Sequence, residues 1–91
     1  MAIIKGGTLA GSVVKVEKPT GTINGVNRVF TTSVGFVSGS LLVFLNGIAL
    51  TPGASDDYVE LTSTTFEFSA SLIPTTEGTY TDKILVQYQV S

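Results

Sequence analysis

The side chains able to do chemistry are few, because the chain has 91 residues and neither cysteine nor histidine. Without them there is no thiolate nucleophile, no imidazole base, no disulfide and no zinc cluster. Serine and threonine are plentiful, but nothing of those two types stands ready to activate one. A carboxylate pair for glycoside hydrolysis could be drawn from Asp57, Glu60 and Glu67. Alternation along their strands, however, turns Glu60 and Glu67 away from the inferred core, which reads as surface solvation. No catalytic residue is assigned, and the expectation is a protein that is not an enzyme and uses no cofactor.

The densest acidic cluster is Asp56-Asp57 with Glu60. Calcium takes six to eight oxygen ligands, and EF-hand spacing is absent here. Asp56 and Asp57 therefore read as turn residues before a strand, with no metal assigned. Asp82 and Glu77 are further carboxylates that folding could add.

Tyrosine rings stack on sugar faces and their hydroxyls hydrogen-bond, which makes Tyr58, Tyr80 and Tyr88 candidates for carbohydrate contact. Tyr88 shares the apolar face of its strand and reads as core. Tyr80 lies in the Thr/Gly-rich stretch 75–81, read as an open loop, and is the expected exposed contact, with a host surface glycan as its ligand.

The five basic residues, Lys5, Lys15, Lys18, Arg28 and Lys83, are dispersed, and the formal net charge is −2. Phosphate binding wants a basic cluster, so no nucleic-acid partner is expected. No apolar run approaches the ~18 residues of a membrane span. Residues 1–7 also lack the basic and long apolar regions of a secretory signal, so synthesis in a cytoplasm is expected.

The elements that hold these residues read as strands. Ile84, Val86, Tyr88 and Val90 fall on one face of a run, with Lys83, Gln87 and Gln89 on the other. Thr65 to Ser69 alternates with Phe66 and Phe68 inward. Tyr58 to Thr62 groups Val59 with Leu61, and Arg28 to Thr32 is a β-branched run. Prolines at 19, 52 and 74 fall outside these runs. One short helical turn is expected around Ala70 to Leu72.

The strongest local signal is Leu41 to Leu50, two apolar runs meeting at Asn46-Gly47. A type I′ turn needs positive φ at both central residues, which asparagine tolerates and glycine adopts freely. Asn24-Gly25 has the same turn chemistry. Leu41, Val43 and Leu45 share one face of the hairpin; Leu42 and Phe44 share the other. A strand apolar on both faces needs cover on each. We expect one face against the domain's own core and the other against an N-terminal segment folded across it or a neighbouring subunit, with a subunit interface drawn from Leu41, Val43, Leu45, Ile3 and Ile4. Charged residues are only 13% of the chain, against a usual ~25%, which fits a surface hidden by association.

Residues 1–18 differ from the remainder and read either as an N-terminal arm or as the first edge strand, with 19–91 as the folded module. The fold class expected is all-β, a small antiparallel β-sandwich of about seven strands.

The order of motifs from Pro19 carries a resemblance. Asn24-Gly25 leads into Val29-Phe30-Thr31, then Val43-Phe44-Leu45-Asn46-Gly47, Asp57-Tyr58, Thr65-Phe66-Glu67-Phe68, and Ile84-Leu85-Val86-Gln87-Tyr88. This resembles the small β modules of tailed-bacteriophage virion proteins, over about residues 19–88. The stretch Thr75 to Thr81 is longer than the usual link, and 1–18 lies outside the pattern. The resemblance implies a non-enzymatic virion part assembled with itself, trimers being frequent, and with other virion proteins. A tail or fibre appendage is the first expectation. The alternatives are a capsid decoration protein clamping capsomers through its arm, and a carbohydrate-binding adhesin module.

Overall fold

The computed structural model describes residues 13–91. Nine strands and no helix are found among them: β1 (Val14–Glu17), β2 (Val29–Thr31), β3 (Leu42–Leu45), β4 (Ile48–Ala49), β5 (Tyr58–Glu60), β6 (Thr65–Phe68), β7 (Thr76–Glu77), β8 (Tyr80–Thr81) and β9 (Ile84–Gln89). A four-stranded sheet runs β1-β9-β3-β4, a three-stranded sheet runs β2-β6-β5, and β7-β8 is a separate hairpin. Every pairing between named strands is antiparallel. The protein is a small all-β fold with sandwich-like character.

Both main sheets feed one core. The four-stranded sheet gives Val43, Ile84, Val86 and Tyr88; the three-stranded sheet gives Phe30, Tyr58, Phe66 and Phe68; Phe36 and Leu41 close it. Phe30 meets Phe68 edge-on at 5.5 Å between centroids, and Phe66 meets Phe68 at 5.6 Å. These are edge-to-face geometries that aromatic quadrupoles favour. The Tyr58 hydroxyl, carried into this interior, donates to the Leu41 carbonyl at 2.6 Å, so no buried polar atom is orphaned there.

The Asn46-Gly47 turn has φ of 53° and 84°, both positive as type I′ requires, and it joins Leu45 to its partner Ile48. Gly25 is likewise at positive φ, while Asn24 Oδ1 accepts from the backbone N–H groups of Val26 and Asn27. That side chain closes an Asx turn.

Four expectations are corrected. Around Ala70 to Leu72 the chain makes a turn closed by Leu72 N–H on the Ser69 carbonyl at 2.9 Å, without helix. Residues 75–81 form the β7-β8 hairpin instead of an open loop. In β5, Tyr58 and Glu60 stand opposite Phe68 and Phe66, whereas Val59 stands opposite Glu67. Opposed residues share a sheet face, so the inward set is Tyr58 and Glu60, and Val59 and Leu61 point outward. Lastly, Leu41 and Val43 are each 1% exposed and belong to the module's own core, with Leu45 packed against it. Leu41 and Val43 are spent internally and are not available to a second subunit, whereas Leu45 is only partly buried.

Within the stretch read as arm or edge strand, Val14–Glu17 is the edge strand β1, paired with β9. Ile3 and Ile4 lie outside the described residues.

Candidate functional site

The residues picked out for chemistry are dispersed and tied into the scaffold. Asp57 Oδ2 accepts the Thr51 N–H at 2.8 Å, and Glu60 receives the Gly39 N–H on both oxygens at 3.0 Å. Glu67 lies 3.7 Å from the Arg28 guanidinium. Asp56 sits in the turn that its own N–H closes on the Gly53 carbonyl at 3.0 Å. Among the described residues no group of three or more acidic side chains is placed to hold a metal ion.

The tyrosines divide sharply. Tyr58 and Tyr88 are core residues, and burial pushes both hydroxyls above their ordinary pKa. Tyr80 is 51% exposed. Its hydroxyl donates to Asn46 Oδ1 at 2.8 Å, and Lys83 Nζ lies 5.4 Å from the ring centroid. Asn46 Oδ1 also accepts the Lys83 N–H at 2.8 Å, and Asn46 Nδ2 donates to Asp82 Oδ1 at 3.1 Å. Asp82 Oδ2 in turn accepts the Thr75 N–H at 3.0 Å. Asn46 is thus a junction binding the β3-β4 turn to the β7-β8 hairpin, and the expected sugar contact is one of its spokes.

What remains unpaired is a surface, and strand register defines it. In the four-stranded sheet, Val43 and Leu45 oppose Val86 and Ile84 on the core side. The intervening residues face out: Leu42 opposite Gln87, and Phe44 opposite Leu85 and Ala49. On the other flank Val14 opposes Gln89 and Val16 opposes Gln87. The outer face therefore reads Val14, Val16, Leu42, Phe44, Ala49 and Leu85, with Gln87 and Gln89 between them and no charged residue. Val14 is 60% exposed, Val16 54%, Leu42 45% and Leu85 41%. Contiguity distinguishes this face from ordinary scattered surface apolars and makes it the candidate interaction surface.

Charge begins only at the border. Lys18 and Lys83 line an open depression with Phe44, Gly47, Ile84, Leu85 and Gln87. Two cations at one edge of an apolar face fit the polar border usual for protein interfaces. The chain matches no family model, no curated protein and no solved structure.

The two-sided hairpin was visible in the residues, but its assignment was reversed: the available side carries Leu42 and Phe44. Val14, Val16 and Leu85 were missed as site residues. The missed signal is alternation itself, since Leu85 breaks the polar series Lys83, Gln87, Gln89 on its face.

Proposed function

We propose that the chain is a non-enzymatic structural module that assembles with copies of itself through the outer face of the four-stranded sheet. One observation carries this reading: that face is apolar, uncharged and solvent-exposed among the described residues, while the candidate chemical side chains serve the scaffold. Sheets with both faces apolar are stable where a second layer covers them. A scarcity of charge across the whole chain supports the same reading.

The setting we propose is a phage particle, in a tail or fibre appendage, and it rests on the motif order from Asn24 to Tyr88. Capsid decoration would employ the same surface in another place. The glycan reading is weaker, because the Tyr80 hydroxyl is already engaged by Asn46.

Sedimentation velocity on the full chain tests the assembly. A species heavier than the 9.5 kDa monomer, growing with concentration between about 1 and 100 µM, is the expected result. A single 9.5 kDa boundary throughout would overturn it.

A further inference from the structure

We infer that the occupant of the outer sheet face is the stretch 1–12 of a neighbouring copy; this rests on the assembly reading above. Size is the first argument. Strands of four, six, four and two residues, spaced ~4.8 Å apart and rising ~3.3 Å per residue, make a patch of roughly 250 Å². A stable protein pair buries about 800 Å² on each partner. The face alone is too small for two modules meeting flat, but it suits one extended segment.

The second argument is where the chain leaves the described fold. Val13 accepts the Val90 N–H at 2.7 Å, and Val14, the next residue, is the first member of the face. Residues 1–12 are thus attached at the border of the patch. Fully extended they reach at most about 40 Å, enough to cross a face some 20 Å wide.

Composition agrees. The stretch holds Ile3, Ile4 and Leu9, one charge at Lys5, and no carboxylate. Nothing acidic would need desolvation against an uncharged surface.

Direction favours the neighbour over the chain's own face. The β1 strand runs antiparallel to β9, and Val14 pairs with Gln89. Extended backwards, β1 leaves the sheet in its plane, beyond the Gln89 end. Lying over its own face would demand a reversal at once, whereas reaching an adjacent copy demands none. Segment-to-face contact is heterologous, and such contacts close into rings when the rotation permits. A three-membered ring is one such closure.

The test mixes two full-length variants, each checked by circular dichroism for retained sheet. Ile3→Asp/Ile4→Asp spoils the segment and keeps the face; Leu85→Lys spoils the face and keeps the segment. Light scattering should find each variant monomeric alone and a heterodimer when they are mixed. If the Ile3→Asp/Ile4→Asp variant associates like the unaltered chain, the inference falls and the assembly reading stands. Variants that stay monomeric when mixed would overturn the exchange, because an intact face and an intact segment would then have failed to pair. Unchanged association of Leu85→Lys would overturn both readings, because the face would then not be the site.

Discussion

The Tyr88 hydroxyl donates a hydrogen bond to Glu17 Oε2, joining the edge strand to the centre of its sheet. Lys15 opposes Tyr88 and Glu17 opposes Val86, so Glu17 and Tyr88 are diagonal neighbours on the core side. The same carboxylate accepts the Ser33 N–H at 2.9 Å and the Ser33 hydroxyl at 2.7 Å. One acidic side chain therefore latches β1 to β9 and to the loop that follows β2. That latch fixes Val14 and Val16, two residues of the proposed interface.

Tyr88→Phe keeps the buried ring and removes the donor. We expect a loss of about 1 kcal/mol, the usual net worth of one hydrogen bond, and a Tm lower by roughly 4–8 °C in a domain this size. Thermal melts followed by circular dichroism check it; an unchanged Tm would mean the latch adds nothing to stability.

The pH profile should be a plateau with two shoulders. Burial by itself raises the Glu17 carboxyl pKa, but the hydrogen bonds from Ser33 and Tyr88 outweigh it and hold the group below its ordinary 4.5. A depressed folded pKa gives stability that is complete above the unfolded value and is lost as pH falls through the folded one. Tyr58 and Tyr88 have the opposite sign. Burial raises both above 10.0, so their contribution is complete below that value and disappears as pH climbs through the folded pKa. With no histidine or cysteine in the chain, little side-chain titration falls between. Melts taken from pH 3 to 11 should show a flat Tm between about 5.5 and 9.5. In Glu17→Gln the acid shoulder should shrink.

Gly21→Ala should destabilise through overpacking. A Cβ at position 21 would stand 2.3 Å from Phe30 Cδ2 and 2.7 Å from Cε2. Phe30 cannot yield easily, since its ring is held against Phe66 and Phe68 in the core. The expected cost is about 1–3 kcal/mol by urea unfolding.

Gly47 offers a contrast, because a Cβ there meets nothing within 4 Å and any penalty comes from backbone conformation. Gly47→Val should cost about 1–3 kcal/mol through its positive φ alone. Asn46→Ala should also loosen the β7-β8 hairpin, by removing the acceptor of Tyr80 and Lys83. Amide hydrogen exchange at Tyr80 to Lys83 would accelerate in Asn46→Ala and change little in Gly47→Val.

Strands and turns were legible wherever a local rule governs them. Asn46-Gly47 declares its turn by the positive φ that only such residues accept, and Phe66 with Phe68 declare an inward face by alternation. The phase of β5 was misread, because Val59 and Leu61 make one face wholly apolar while the other pairs Tyr58 with the charged Glu60, so local alternation pointed the wrong way. Register against Phe66 and Phe68 decided it. The stretch 75–81 hid its hairpin because Thr76, Glu77 and Thr81 have no apolar face to alternate. The site was half legible. Both faces of the Leu41–Leu45 run were visibly apolar, but which one remains available depends on the sheet opposite. Glu17 was invisible, since its partner Tyr88 lies 71 positions away and no local spacing connects them.

The most direct test of assembly through this face is the molar mass of the full chain beside its Leu85→Lys variant, by multi-angle light scattering at about 100 µM. We predict a multiple of 9.5 kDa for the chain and 9.5 kDa for the variant, with the same sheet signal in both. Equal masses for the two would contradict it.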